Sequence, residues 1–497
     1  MRKKDMYLNY NNPYSGKNKR RGRRGYGRRG RRPNFLYILL ILIIAIGLGF
    51  LAFYITNKVS SDSYQDLFGK KNKKSEINKD IDENKTEDGK TQEDIAGSKE
   101  AAQNSSQSVN PADNTQNSPV GNNNTNENDP LTEEEEAEDT MASAGKKKDA
   151  IQEEPFMPNF VDNRIPVKVK GIYVTGPRAG NETYMKELIK LVDTTELNAM
   201  VIDIKNDSGE ITYNMDLDIV QEIGAPVKYI RDMEELIKEL KEKDIYLIAR
   251  IVAFKDPILA KGKPELSLKK KDGSVFKDKD GLSWVNPYKK EVWDYLIAVA
   301  GEAVKLGFDE IQFDYIRFST DSGMKQVDFG EEAKDKTKID AINEFTKYAS
   351  EQLKPQGVYV SADVYGAIID SEVDANIVGQ DYIQMSKYLD YICPMIYPSH
   401  YADGAYGIAH PDLEPYNLIL QALQKSEEQL SQIKEGNQKA VVRSWLQDFT
   451  AVWLKHHKSY GPEEIKEQIK AVNDAGYEEW ILWNGNNNYT KGGLAKN

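Results

Sequence analysis

From about Val167 onward, short apolar runs alternate with amphipathic stretches along the chain. The runs have the length and the β-branched and aromatic content of strands, and the stretches between them repeat apolar residues with a helical period. The predicted strands are Val169–Val174, Ala199–Ile204, Tyr246–Val252, Glu310–Tyr315, Val358–Val364, Tyr391–Met395, Ala440–Trp445 and Trp480–Trp483. The predicted helices are Glu182–Thr194, Val227–Lys243, Pro287–Leu306, Glu331–Leu353, Tyr416–Gln432 and Pro462–Ala475.

Eight β/α units in roughly 330 residues are typical of a TIM barrel, so the predicted fold class is α/β with a (β/α)8 barrel. A doubly wound open sheet is the alternative, but no Gly-rich dinucleotide fingerprint follows the first predicted strand. Two long connections, 255–284 and 400–416, fall at the C-terminal face of the predicted barrel, where long loops build sites. The first contains the turn Lys271-Asp272-Gly273-Ser274, which predicts a small hairpin.

The N-terminal region has a different composition. Residues 1–33 contain 13 Lys and Arg and one acidic residue, Asp5, whereas the whole chain has a net charge of −12. The following Phe35–Ile55 segment is 21 residues long, uncharged and rich in Leu and Ile. A helix of that length spans the roughly 30 Å of a bilayer core. We therefore predict a basic cytoplasmic tail at 1–33 and a single transmembrane helix at 34–56, with the remaining chain outside the cell, because the positive-inside rule keeps the Arg-rich side in the cytoplasm.

Two other interpretations of this region are weaker. A cleaved signal peptide would have a shorter apolar core and a small-residue cleavage site after it. The Arg/Gly run at 20–32 could bind nucleic acid, but topology and anionic lipid headgroups explain basic residues beside a membrane span more simply. We expect a membrane partner and no nucleic-acid partner.

Residues 57–160 are rich in Asn, Gln, Ser, Glu, Lys and Asp and have almost no aromatic residues. Such a segment cannot bury enough apolar surface to offset its chain entropy, so we predict a disordered linker. It would hold a barrel domain at 161–497 away from the membrane. The single cysteine, Cys393, excludes an intrachain disulfide, and the four histidines lack zinc-site spacing. No metal or cofactor is expected.

Carboxylates at the ends of predicted strands are the candidate catalytic groups. Asp314 ends the fourth strand in the run Phe308 to Phe318, and Asp363 ends the fifth. An unpaired buried charge costs several kcal/mol, so an aspartate on an inner strand face requires a chemical or structural reason. Glycoside hydrolysis uses two carboxyl groups, one as the acid and the other as a base or nucleophile. Asp203 and Asp207, after the second strand, are the other candidates. For any one of these aspartates, a structural ion pair with Lys205, Arg250 or Arg317 is the alternative.

Other polar and aromatic residues fall at the same predicted rim. Amides and charged groups there would bind sugar hydroxyls, and flat aromatic rings would stack on the apolar face of a sugar. The predicted substrate-binding residues are Asp203, Lys205, Arg250, Trp284, Tyr315, Arg317, Tyr397, His400, Trp445, Trp483 and Asn484. Tyr173 and Tyr365 are further aromatic candidates.

Several motifs occur in order along this domain: Lys170-Gly171-Ile172-Tyr173-Val174, Val201-Ile202-Asp203-Ile204-Lys205, Trp284-Val285-Asn286-Pro287-Tyr288, the run Gly307 to Phe318, Ser361-Ala362-Asp363-Val364-Tyr365-Gly366, Gly379-Gln380-Asp381 and the run Tyr391 to Tyr401. Together they resemble the "putative glycosyl hydrolase domain" of bacterial proteins, a domain of unknown function related to the α-amylase-like TIM barrels. The resemblance covers about Pro166 to Asn488.

The resemblance implies a (β/α)8 barrel and a carbohydrate substrate. In amylase-like enzymes the nucleophile is an Asp ending strand four, which matches Asp314. Their general acid is a Glu ending strand five, where this chain has the shorter Asp363. That departure leaves the assignment of the acid open to a residue from another strand.

These observations favour a membrane-anchored, extracytoplasmic glycoside hydrolase of a cell-wall or exopolysaccharide glycan, with Asp314 as nucleophile or base and Asp363 as general acid. A barrel that binds such a glycan without cleaving it is the alternative. In a third interpretation the barrel is only a spacer, and the basic tail and linker carry the function.

Overall fold

Residues 156–497 are described by a computed structural model, and they form a closed barrel of parallel strands surrounded by helices. The strands are β1 (Lys170–Val174), β2 (Ala199–Lys205), β3 (Tyr246–Val252), β4 (Glu310–Asp314), β5 (Tyr359–Tyr365), β6 (Tyr391–Met395), β7 (in two pieces, Val441–Val442 and Ser444–Gln447) and β8 (Trp480–Trp483). Each pairs with the next along the chain, and β8 pairs with β1, which closes the barrel. The predicted eight-stranded barrel is confirmed.

The helices packed around this barrel are α1 (Glu182–Asp193), α2 (Met233–Lys241), α3 (Lys290–Leu306), α4 (Lys338–Leu353), α5 (Glu372–Val378), α6 (Tyr382–Ser386), α7 (Pro415–Leu430) and α8 (Pro462–Asp474). Shorter helices lie in the connections at Gly176–Ala179, Asp218–Glu222 and Pro257–Gly262. In the 255–284 connection, the amide of Lys270 donates to the carbonyl of Ser274 across the predicted hairpin turn, and Gly273 takes a positive φ there.

Three helices, α2, α3 and α4, begin later than their apolar pattern predicts, and in α2 and α4 a capping side chain fixes the start. The Asp232 carboxylate accepts the amide of Glu235 at 3.0 Å and starts α2, while Val227 still donates its amide to Ile211 in an extended segment. Similarly, α4 starts after Thr337, in a reciprocal capping box with the N3 residue of the helix. A cap side chain that satisfies the free amides of the first turn decides where a helix begins.

Strand residues alternate between two apolar regions. Those facing outward, such as Met200 and Ile202 of β2, pack with the helices, whereas Val201 of the same strand faces the barrel interior. The interior also holds a buried ion cluster in which Arg443 contacts Glu310 and Glu479, each at 2.8 Å. Because these groups come from β4, from between the two pieces of β7 and from just before β8, the cluster connects strands across the barrel.

The segment before β1 covers the barrel base. Arg164 bonds both carboxylate oxygens of Asp390, at 2.9 and 3.0 Å, and its guanidinium lies 4.2 Å from the ring centroid of Tyr359. Phe156 packs edge-on against Tyr388, with ring centroids 5.1 Å apart. Folded structure therefore already exists at the last residues of the predicted linker.

The predicted basic tail, transmembrane helix and linker up to residue 155 lie outside the described residues. Within 156–497, no helix is both long and apolar enough to cross a bilayer.

Candidate active site

The C-terminal ends of the strands surround a cavity of about 270 Å³. It takes residues from nearly every strand end and from the loops that follow. Its lining consists of Tyr173, Thr175, Asp207, Arg250, Asp314, Tyr315, Arg317, Asp363, Tyr365, Met395, Tyr397, His400, Trp445, Trp483 and Gly485. This is the end of the barrel at which TIM-barrel enzymes carry their chemistry.

Asp314 is held by the guanidinium of Arg250. The Nε and Nη2 atoms of Arg250 donate to one oxygen of Asp314 at 3.0 and 2.5 Å. The other oxygen accepts the backbone amide of Tyr315 at 2.5 Å. Tyr315 has a φ of 49°, a left-handed conformation uncommon for a bulky residue, and it turns the chain sharply after the strand. These contacts fix Asp314 in the environment of an ionised carboxylate.

Behind this pair lies a buried network that orients Arg250. Its Nη1 atom donates to Asp203 at 2.6 Å, and the hydroxyl of Tyr173 donates to the other oxygen of Asp203, also at 2.6 Å. Burial raises the pKa of Asp203, and the charge of Arg250 opposes that effect. Asp203 thus positions the guanidinium that holds Asp314.

Asp363 occupies the neighbouring strand end in a different environment. Phe313 pairs with Ala362 in the register of β4 and β5, which places Asp314 and Asp363 side by side. The side chain of Asp363 accepts a hydrogen bond from the indole Nε1 of Trp445 at 2.6 Å and is almost fully buried. Burial, reinforced by the negative charge of Asp314, raises the pKa of Asp363 well above its ordinary value. Asp363 therefore holds its proton more strongly than an ordinary aspartate does.

This contrast can support acid–base chemistry. When the environments of two carboxyl groups differ in this way, one group can act as a proton donor and the other as an anion. The donor would be Asp363 and the anion Asp314. Within residues 156–497, no group of three or more His, Cys, Asp or Glu side chains is arranged to hold a metal ion.

A chain of hydrogen bonds fixes the tautomer of His400. The Gln447 amide nitrogen donates to the carboxylate of Asp412 at 3.0 Å, so its oxygen is the acceptor that receives the Ser399 hydroxyl at 2.7 Å. Since that hydroxyl has donated its hydrogen, its oxygen accepts one from Nδ1 of His400, 3.0 Å away. Burial lowers the pKa of His400 to about 4, so the ring is neutral and its Nε2 is an acceptor.

Aromatic rings form one wall of the cavity. Tyr173 and Trp483 stack with centroids 4.2 Å apart and an interplanar angle of 16°, and Trp445 meets Trp483 edge-on at 5.6 Å. On the opposite side, the Arg317 guanidinium lies 4.7 Å from the ring centroid of Tyr315 and 4.5 Å from that of Tyr365. Aromatic faces beside charged groups suit a ligand with apolar faces and polar edges.

Most predicted site residues are brought together here. Those that line the cavity are Asp314, Asp363, Arg250, Tyr315, Arg317, Tyr397, His400, Trp445 and Trp483, together with the further candidates Asp207, Tyr173 and Tyr365. Thr175, Met395 and Gly485 were not predicted. Their position at a strand end was the only available signal, because none of the three carries a group that indicates chemistry.

Lys205 and Asp203 lie elsewhere than predicted. A register shift between Asp203 and Lys205 in β2 breaks the two-residue alternation that would have put both on the inner face. Lys205 is fully buried, pairs with Asp256 at 2.9 Å and donates to the carbonyl of Val252 at 2.6 Å. It is thus corrected from a sugar contact to a structural ion pair, and Asp203 is corrected to a residue behind the lining.

Trp284 and Asn484 are also outside the lining. The indole of Trp284 donates to Asp278 at 3.0 Å and packs edge-on behind Tyr315. The amide of Asn484 donates to the backbone carbonyls of Asp448 and Asn488, which holds the loop after β8. Both side chains support the site from behind.

Residues 171–489 match the protein family described as "Putative glycosyl hydrolase domain". The chain belongs to this family. No curated protein matches the sequence of the chain. The sequence match agrees with the family resemblance of the strand-end motifs, and it spans the whole barrel.

Among solved structures, a hypothetical protein from Ruminiclostridium thermocellum is similar at 42% identity over 39% of this chain and 97% of its own, with a TM-score of 0.36. The PgaB (BpsB) glycoside hydrolase domain from Bordetella bronchiseptica is 14% identical over 64% of this chain and 94% of its own, with a TM-score of 0.46. Aspergillus fumigatus Ega3 in complex with galactosamine is 12% identical over 68% and 98%, with a TM-score of 0.36. Because these TM-scores are low, the family assignment depends on the sequence match.

Proposed function

We propose that this protein is a glycoside hydrolase in which Asp363 is the general acid and Asp314 the nucleophile or base. The observation that carries the proposal is the pair itself: two aspartates at adjacent strand ends in one cavity, one held by a guanidinium and the other buried against an indole. Glycosidases use one protonated and one ionised carboxyl group on either side of the bond that breaks.

The reaction follows from these states. The proton of Asp363 passes to the glycosidic oxygen while the bond between that oxygen and the anomeric carbon breaks. Asp314 either bonds to the anomeric carbon, to be displaced by water, or removes a proton from the attacking water. By either route the water hydroxyl ends on the anomeric carbon and the remaining proton returns to the carboxyl pair.

The second candidate is a barrel that binds a glycan without cleaving it. It is favoured by the contacts of Asp314, whose two oxygens are engaged by Arg250 and by the amide of Tyr315. A carboxylate so fully satisfied could be a structural ion pair. The two candidates differ in whether any product forms.

The roles of the two aspartates can be separated with substrates of different leaving-group acidity. An activated aryl glycoside needs little help from an acid, so Asp363→Asn should lose about 10²–10⁴-fold in kcat on a natural glycan but far less on a nitrophenyl glycoside of the same sugar. Asp314→Asn should lose activity on both. If Asp363→Asn lost kcat equally on the two substrates, Asp363 would not be the general acid.

The proposal extends to location. The uncharged segment Phe35–Ile55 after a basic tail supports a single-pass anchor with the barrel outside the cell. Protease added to intact cells should then cut within 57–155 and release the barrel, while an epitope tag before Met1 stays protected. A digested tag, or a barrel that resists protease until the cells are lysed, would contradict this topology.

A further inference from the structure

The loop 448–461, after β7, carries an exposed aromatic residue next to the cavity. Trp453 is 40% exposed, and its neighbour Val452 is 71% exposed. Large apolar side chains exposed beside a binding cavity often mark a contact surface, whereas singly scattered ones need no explanation. The position of Trp453 relative to the cavity distinguishes these cases.

Trp453 continues a series of rings that starts in the cavity. Its ring stacks on Phe449 with centroids 6.0 Å apart and an interplanar angle of 21°. Phe449 in turn meets Tyr397 edge-on at 6.0 Å and His400 at 6.3 Å. Tyr397 and His400 line the cavity. The exposed indole is therefore two ring contacts from the candidate active site, within reach of a short oligosaccharide.

The loop is held in place at both ends. The carboxylate of Asp448 accepts hydrogen bonds from the backbone amide and the hydroxyl of Thr490, at 2.8 and 2.6 Å. At the other end, the backbone amide of Tyr460 donates to the hydroxyl of Thr450 at 3.0 Å. The carbonyl of Phe449 also accepts a hydrogen bond from the side-chain amide of Gln447. Gln447 belongs to the chain of hydrogen bonds that leads to His400. A loop anchored in this way loses less conformational entropy when a ligand binds to it than a free loop does.

The cavity alone is small for a polymer. Its volume of about 270 Å³ is below the roughly 300–1,000 Å³ typical of ligand sites. A glycan chain with its reacting unit in this cavity must continue across the adjacent surface. The exposed indole of Trp453, backed by the ring of Phe449, provides apolar aromatic surface there, which suits the apolar face of a pyranose.

We propose that Phe449 and Trp453 form an outer sugar-binding subsite, and that the substrate is a glycan chain long enough to fill the cavity and this subsite together. The inference deepens the proposed function and rests on it for the identity of the ligand. It predicts that binding and turnover depend on chain length, and that Trp453 carries this dependence.

The test compares full-length wild type with Trp453→Ala, Trp453→Phe and Val452→Ala. Val452→Ala is the matched control, since it removes a more exposed apolar side chain from the same loop. The probes are chito-, malto- and cello-oligosaccharides from disaccharide to hexasaccharide, and purified bacterial wall glycan strands. Binding is measured by affinity electrophoresis and by titration calorimetry, and hydrolysis by the release of reducing ends.

Wild type should bind the longest chains of one ladder about tenfold more tightly than the disaccharide. Trp453→Ala should abolish that advantage without changing disaccharide binding, while Trp453→Phe and Val452→Ala should retain most of it. On a cleaved glycan, the same variant should raise KM for long chains and leave kcat nearly unchanged.

Two results would overturn the subsite: wild-type binding that does not increase with length on any ladder, or a Trp453→Ala variant equal to Val452→Ala on long chains. Failure of the proposed hydrolysis is a separate outcome. In that case neither wild type nor any variant forms product, yet length-dependent binding persists in wild type and is lost in Trp453→Ala.

Discussion

At the scale of single residues, the site depends on Asp314 and Asp363, which occupy neighbouring positions on adjacent strands. The surroundings of the two carboxyl groups differ. Arg250 and the amide of Tyr315 surround Asp314 with donors, while Asp363 has the indole of Trp445 and little solvent. Their strand-end positions could be predicted from the two-residue alternation of β4 and β5. The indole partner of Asp363 could not, because Trp445 comes from β7 and meets Asp363 only when the barrel closes. The contact of Arg250 with Asp314 was one of several ion pairs that the sequence left open.

The neutral, Nδ1-protonated form of His400 gives a prediction for its ring. In a histidine-labelled full-length protein, the ¹⁵N shifts of His400 should report an unprotonated Nε2 down to a pH of about 4, because burial lowers its pKa to that value. His400→Gln identifies the signal. A ring that titrates near its ordinary pKa of about 6.5 would contradict the hydrogen-bond chain through Ser399.

The same pKa shift has a consequence for stability. The unfolded chain protonates His400 near pH 6.5, but the folded protein resists protonation until about pH 4. The contribution of the neutral ring is therefore complete above pH 6.5 and is lost as the pH falls toward 4, by roughly 3 kcal/mol in full. Urea unfolding of wild type and His400→Gln across this range should show the difference narrowing at low pH. A gap that is constant with pH would argue against the shift.

At the scale of elements, the strands and the starts of α1, α7 and α8 were predictable almost to the residue, whereas the starts of α2, α3 and α4 were not. The largely apolar run Tyr246–Val252, interrupted only by Arg250, is typical of a buried strand in a parallel barrel. The start of α2 depends instead on the carboxylate of Asp232, whereas the apolar pattern extends N-terminally beyond this residue to Val227. The bulge in β2 was likewise invisible to a rule of strict alternation, which is why Lys205 was placed on the wrong face.

The segment before β1 gives a prediction at this scale. Arg164 is nearly buried and bonds Asp390, which keeps the ammonium of Lys354 and the backbone amide of Val360 as partners when the guanidinium is removed. Arg164→Ala should lower the free energy of unfolding by roughly 2 kcal/mol and leave activity per folded molecule unchanged, since it lies at the barrel base. The control is Lys168→Ala, which breaks an exposed pair with Glu478 in the same segment and should have little effect. Similar effects of both variants on urea unfolding would show that the segment does not close the base.

At the scale of the whole molecule, the chain combines a basic segment, an apolar segment, a polar segment and a barrel of the family described as "Putative glycosyl hydrolase domain". Composition and periodicity were sufficient to predict the barrel, because eight β/α units in one chain leave few other arrangements. The tail, span and linker remain predictions from composition. The sugar that the barrel recognises depends on distances between side chains from different strands, which periodicity does not encode.

The central claim is that the barrel cleaves a glycan with its two strand-end aspartates. The most direct test incubates full-length wild type and Asp314→Asn with bacterial wall glycans, exopolysaccharides and α- and β-glucans, and measures new reducing ends. We predict product from wild type on at least one glycan and none from Asp314→Asn, with binding retained by both. Equal product from the two proteins, or binding without product from either, would contradict it.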